Sequence, residues 1–82
     1  MKKSIYAIHD SKVKAYLQPF FMRTHGEAIR SFGEICSDEK SQFNKYPEDF
    51  AMLHIGDWDE ETGTVTKVEK TPLSKATDFI TK

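Results

Sequence analysis

The stretch that decides the fold is LQPFFMRTHGEAIRSF, residues Leu17–Phe32. Its first half is apolar, and Pro19 within it opposes a helix interior and favours an edge strand or a bulge. Thr24 and Glu27 stand three residues apart, the spacing of a capping box that satisfies free backbone N–H groups at a helix start. Apolar residues then recur at intervals of three and four: Ala28, Ile29, Phe32, Ile35 and Cys36. The stretch therefore predicts a strand followed directly by an amphipathic helix over about residues 25–36.

Two extended segments precede this helix. Ile5–Ile8 is rich in β-forming residues and predicts a first strand, which the turn chemistry of Asp10–Lys12 ends. The chain is extended again over Val13–Met22, where alternate side chains should point to opposite faces of a sheet. One set is wholly apolar and is expected to face the helix: Val13, Ala15, Leu17, Pro19 and Phe21. The other set mixes polar and aromatic groups and is expected to face outward or into an interface: Lys14, Tyr16, Gln18, Phe20 and Met22.

The second half of the chain predicts another hairpin. Phe50–Ile55 is the third predicted strand, Gly56–Gly63 supplies an acid-rich turn, and Thr64–Val68 returns as the fourth strand. Thr71-Pro72 is expected to stop that strand. Beyond it, apolar residues at helical spacing indicate a short C-terminal helix or docked turn that starts near Ser74.

These elements predict one α+β domain over residues 1–82. Residues 42–49 should form a structured loop between the helix and the third strand, pinned by Phe43 and Tyr46. The order β-β-α-β-β then gives a four-stranded, mainly antiparallel sheet with the amphipathic helix on one face.

Composition and spacing argue against several kinds of site. Cys36 is the one cysteine, which leaves no internal disulfide and no cysteine-based zinc site, and its place on the apolar helix face is typical of a buried thiol. His9, His25 and His54 lack metal-binding spacing, and His25 is expected at the surface. The acids of residues 57–61 lack the spacing of a calcium loop and are interpreted as a solvated hairpin tip. With no nucleophile motif and no glycine-rich phosphate loop, we expect neither an enzyme nor a cofactor. No apolar run has the length of a signal peptide or a membrane span.

Charge is divided unevenly along the chain, although the net charge is only −1. Residues 1–45 carry eight Lys and Arg against five Asp and Glu, a net +3, whereas residues 46–82 carry four against eight, a net −4. This division fits a basic face that meets an anion, complementary surfaces in a homo-oligomer, or a plain solvated surface.

Cations and aromatic residues are interleaved around the second predicted strand, a pattern typical of surfaces that bind single-stranded nucleic acid by stacking and charge. The candidate nucleic-acid-binding residues are Lys12, Lys14, Tyr16, Phe20 and Arg23. In the alternative interpretation, the two aromatic residues pack against a neighbouring strand or a second subunit, and the cations keep an edge strand soluble.

Four segments, in order, carry a resemblance to a known family. They are HDSKVKAYLQPFF (residues 9–21), THGEAIRSF (24–32), FNKYPEDF (43–50) and GDWDEETG (56–63). Together they resemble the small non-structural protein of gokushoviruses, the branch of the Microviridae that includes the chlamydia phages.

The resemblance implies a protein made in the cytoplasm of an infected bacterial host and not assembled into the capsid. Members of that family are regarded as counterparts of the microvirus protein that switches replication toward single-stranded genome synthesis and packaging. The partners implied are single-stranded DNA or phage or host replication and packaging proteins, with no catalytic residues to carry over. The alternative function is a protein–protein adaptor or dimerisation module without nucleic-acid contact, because a net charge near zero limits attraction to a phosphate backbone.

Overall fold

The computed structural model describes residues 1–80 and contains one antiparallel sheet with helices packed on one side. Its strands and helices are β1 (Lys2–Asp10), β2 (Ala15–Tyr16), β3 (Phe20–Met22), α1 (His25–Ser37), α2 (Gln42–Lys45), β4 (Phe50–Asp59) and β5 (Val65–Lys75). Two 3₁₀ turns, Pro47–Asp49 and Ala76–Phe79, precede β4 and follow β5. The predicted α+β class is confirmed, with five strands instead of four because the second predicted strand is divided.

The strands are ordered β2-β1-β4-β5, and β3 also pairs with β1. β2 and β3 follow the same edge of β1, where Tyr16 pairs with His9 and Phe21 pairs with Ile5. Pro19 lies in the gap between β2 and β3, where no ladder hydrogen bond requires the N–H that proline lacks. The result leaves β1 and β4 in the middle of the sheet.

The second hairpin is longer than its sequence pattern predicts. β4 continues through Gly56, where an added Cβ would lie 3.1 Å from the carbonyl oxygen of Thr66 on β5. β5 continues through Pro72, which an edge strand tolerates because its outer N–H groups need no partner. The C-terminal element predicted near Ser74 is therefore a 3₁₀ turn that begins two residues later, after the strand ends.

Helix α1 starts at the predicted cap. The Oγ1 atom of Thr24 accepts a hydrogen bond from the backbone N–H of Glu27 at 3.1 Å. The Glu27 carboxylate accepts from the Thr24 hydroxyl at 3.2 Å, so it does not make the backbone contact of a full capping box. The helix ends where the N–H of Asp38 bonds the carbonyl oxygen of Ile35. Ile35 itself is exposed, so the buried stripe is narrower than predicted.

The core lies between α1 and the face of the sheet that α1 covers. Its buried residues are Tyr6, Ile8, Ala28, Phe32, Cys36, Phe43, Phe50, Met52 and Ala76. The segment after α1 is anchored by Phe43, whose ring meets that of Phe50 with centroids 4.7 Å apart, and by the buried Pro47. Tyr46 is 60% exposed, so the prediction that it pins this segment is wrong.

Burial of Cys36 makes stability sensitive to alkaline pH. Desolvation raises the pKa of this thiol from 9.0 to about 11, so the folded state holds the proton after the unfolded state has released it. The stabilisation that the protonated thiol gives the folded state is fully present below about pH 9 and is lost as the pH rises toward about 11. Between about pH 8 and about pH 10 we expect the free energy of unfolding to fall by about 1 kcal/mol through this group. Urea denaturation at both pH values would measure it, and an equal fall in Cys36→Ala would contradict it.

Candidate nucleic-acid interface

The two neighbouring phenylalanines of β3 lie on opposite faces of the sheet. Directly paired residues of antiparallel strands point to the same face, and Phe20 pairs with the fully buried Tyr6. Their rings stack with centroids 5.7 Å apart, which puts Phe20 at the edge of the helix-covered core. Phe21 pairs with Ile5 and is 46% exposed on the other face.

The face predicted for each phenylalanine is therefore wrong. Leu17 and Phe20 both pack against the core although they are three residues apart, because Gln18 and Pro19 interrupt the strand. An uninterrupted alternation of two cannot place both on one side. Since Tyr16 pairs with His9 on the uncovered side, Tyr16 and Phe20 do not share a face.

We call the sheet face opposite α1 the open face. The strand register places fourteen paired residues on it: Lys3, Ile5, Ala7, His9, Tyr16, Phe21, Ala51, Leu53, Gly56, Trp58, Val65, Lys67, Pro72 and Lys75. Three of them are lysines and none is a carboxylate. The acids that have a register partner are Asp10, Asp57 and Asp59, and their partners put them on the helix face; Glu69 of β5 lies in the irregular stretch 68–70 and has no register partner. The paired positions of the open face thus carry lysines and no acid, which a count along the chain does not reveal.

Aromatic rings form two groups on the open face. Phe21 meets Trp58 edge-on with ring centroids 5.3 Å apart, and Tyr16, which is 43% exposed, meets His9 at 4.7 Å. His9 lies four positions after Ile5, the partner of Phe21, on β1, so the groups lie roughly 13 Å apart along the strand. Two separate aromatic platforms are therefore available on one surface.

Cations accompany both aromatic groups. Lys3 Nζ lies 5.8 Å from the centroid of the Trp58 ring, and Lys70 Nζ lies 5.2 Å from that of Tyr16. The second contact joins β5 to β2, the two edges of the sheet, across β1 and β4. Side chains from both edges thus meet over the middle of the face, which agrees with the 1% exposure of Ala7 on β1.

A polar cluster lies on the helix face of the sheet and contacts the start of α1. The hydroxyl oxygen of Tyr6 is 2.7 Å from Nδ1 of His25, and the rings of His25 and His54 have centroids 4.8 Å apart. His54 Nε2 in turn lies 3.0 Å from a carboxylate oxygen of Asp57. Burial raises the pKa of Tyr6, so its hydroxyl stays protonated and available for this contact. His25 is exposed as predicted, but it also docks the helix on the sheet.

Neither a metal-binding cluster nor a membrane-spanning helix occurs among residues 1–80. Across residues 1–80, no three His, Cys, Asp or Glu side chains are placed together so that they could hold a metal ion. Over the same range, none of the helices has the length and apolar character needed to cross a membrane.

Comparison with known proteins identifies the family. The family model described as Phage ORF5 protein matches residues 3–79, from β1 to the last 3₁₀ turn. The chain belongs to the Phage ORF5 protein family. Protein ORF5 of Chlamydia phage 1 is 35% identical to it over 68 residues, which cover 78% of this chain and 71% of that protein. The resemblance to the gokushovirus protein is thereby confirmed, and no solved structure matches the chain.

The residues predicted as a binding site are dispersed around the open face of this ORF5-family protein. Lys12 and Lys14 lie exposed in the β1–β2 turn, where Lys14 has a φ of 58°, and Arg23 is exposed just after β3. Tyr16 lies on the face itself, and Phe20 lies behind it in the core. A nucleic-acid role for the four accessible residues stays a prediction.

The predicted site lacked Lys3, Phe21, Trp58 and Lys67, which the register places on the open face, and Lys70, which contacts the Tyr16 ring there. Trp58 lies opposite Lys3 only because β4 pairs with β1, which is distant in the chain. Nothing in local spacing indicates that Lys70 reaches Tyr16 across two strands.

Proposed function

We propose that this ORF5-family protein is a non-catalytic phage protein that binds single-stranded DNA through its open face. It would act in genome replication or packaging in the cytoplasm of the infected host. The observation that carries the proposal is the open face itself, where exposed rings stand among lysines and the paired positions hold no carboxylate.

Single strands need two features that this face combines. Stacking of a base on an aromatic ring contributes about 1–3 kcal/mol and tolerates any sequence, because every base has a π-face. Lysines neutralise phosphates and release counterions, so affinity should fall as salt rises. The net charge of −1 is compatible with this, because the three carboxylates that have a register partner lie on the other face of the sheet.

The chain carries one tryptophan, and it lies on the open face, which provides a direct test. We expect oligo(dT) to quench the fluorescence of Trp58 and to raise the anisotropy of a fluorescein label in the same titration. Binding should be several orders of magnitude weaker at about 200 mM than at about 50 mM salt if six or more phosphates are contacted, and less sensitive if fewer are. A lack of binding at low salt would overturn the proposal.

Charge reversal on the open face should weaken binding while leaving the fold intact. For Lys67→Glu/Lys70→Glu we expect at least a tenfold weaker affinity and a shallower salt dependence. Lys40→Glu/Lys45→Glu makes the same charge change beside α1 and on α2, and serves as the matched control. Lys14→Glu/Arg23→Glu should have a smaller effect, because these cations flank the face. If the control weakens binding as much as the β5 variant, the open face is not the contact surface.

A protein–protein adaptor or dimerisation module is the second candidate. It is favoured by the apolar exposure of Phe21 and Val65 beside Trp58, which suits a protein partner as well as a base. Sedimentation of the wild-type protein and of Val65→Glu would test it. Self-association that Val65→Glu abolishes, without oligo(dT) binding at low salt, would favour this candidate.

A further inference from the structure

One end of the open face is partly occupied by a carboxylate of the protein itself. Lys3, which lies over the ring of Trp58, also places its Nζ atom 3.5 Å from Oε1 of Glu60. Glu60 follows β4 at the start of the turn to β5, and its backbone N–H bonds the carbonyl oxygen of Met1. The turn is therefore tied to the start of β1, next to the aromatic pair of Phe21 and Trp58.

We propose that Glu60 is an intramolecular competitor for the phosphate-binding cation of this end, a mask that a bound strand must displace. The inference rests on the proposed function and concerns the regulation of the same surface. A phosphate and a carboxylate are both anions that hydrogen-bond an ammonium group, so Lys3 cannot serve both fully. The Glu60 charge also lies well within a Debye length of any phosphate near Trp58.

The ion pair between Lys3 and Glu60 is weak enough for a bound strand to displace the carboxylate. Both side chains of the ion pair are about one-third exposed, and such pairs contribute little because water screens them. Affinity is thus reduced and not abolished by Glu60. Removal of its charge should strengthen oligo(dT) binding about threefold at low salt, with a smaller gain as salt rises.

The variant Glu60→Gln keeps the shape of the side chain and removes its charge. Glu61→Gln is the matched control, because it removes the same charge from the next residue, whose partner is the N-terminal amine of Met1 at 3.4 Å. Both variants are compared with wild type in the oligo(dT) titration, with melting temperatures recorded to show that the fold is unchanged. We expect Glu60→Gln to bind more tightly than Glu61→Gln.

A second comparison separates competition for Lys3 from general repulsion. In a Lys3→Gln background, Glu60→Gln should lose most of its effect, because the cation that it competes for is gone. An equal gain with and without Lys3 would overturn the mask, as would equal gains from Glu60→Gln and Glu61→Gln. In either case wild-type binding would leave the proposed function standing. Failure of wild type and all variants to bind at low salt would overturn the proposed function itself.

Discussion

Phe20→Ala should lower the free energy of unfolding by about 2–3 kcal/mol, whereas Phe21→Ala should lower it by less than about 1 kcal/mol. The difference follows from the two faces of β3. Phe20 stacks on Tyr6 in the core, and Phe21 is half exposed beside Trp58. Binding should respond in the opposite order, since only Phe21 can meet a base on the open face.

Urea denaturation followed by circular dichroism would measure stability, and the oligo(dT) titration would measure binding for both variants. The two phenylalanines are adjacent in sequence and the two substitutions are chemically identical, so each variant is the control for the other. Equal losses of stability would contradict the register of β1 with β3. Undiminished DNA binding by a folded Phe21→Ala protein would remove Phe21 from the proposed interface.

Gly33→Ala should destabilise the protein by about 2 kcal/mol, although alanine is the better helix former by about 1 kcal/mol. Gly33 is buried in the middle of α1, where an added Cβ would lie 2.8 Å from two ring carbons of Phe79. The ring cannot simply turn aside, because it also packs edge-on against Phe32 at a centroid distance of 5.8 Å. The methyl group would therefore displace the last 3₁₀ turn from the helix.

Two further variants make this prediction specific. Gly26 lies in the first turn of the same helix, where an added Cβ would have only Thr24 Oγ1 within 4 Å, at an ordinary 3.9 Å, so Gly26→Ala should be neutral or stabilising. In a Phe79→Ala background, Gly33→Ala should change sign and stabilise by up to about 1 kcal/mol, because only helix propensity remains. A destabilising Gly33→Ala in that background would show that the contact with Phe79 is not the cause.

Local rules in the sequence were sufficient for α1 and for the succession of extended segments, main helix and second hairpin, but not for the division of the second strand or for α2. Thr24 starts the helix, and Ala28, Phe32 and Cys36 are buried as their spacing predicts. Such rules act over a few residues, and the failures occur where longer-range pairing decides. Pro72 stops a strand by local chemistry, yet it is accommodated in β5 because that strand lies at an edge.

The candidate site was harder to predict than the fold because it depends on which face of the sheet each side chain occupies. The gap between β2 and β3 shifts the alternation of side chains and exchanges the roles of Phe20 and Phe21. The pairing of β4 with β1 then brings Trp58 to Lys3, which are far apart in the chain. Charge counts along the chain could not show that the paired positions of the open face hold lysines and no acid.

The outer strand β5 also affects how copies of this protein can meet. An exposed strand edge can act as a template on which a further strand grows, the first step toward fibrils. On β5, Pro72 offers no N–H, and three residues of β5 at 68–70 stand opposite the single residue Ile55 of β4. An incoming strand would therefore meet an interrupted row of donors and acceptors flanked by Lys67, Lys70 and Lys75. At high protein concentration this edge should therefore resist open-ended polymerisation.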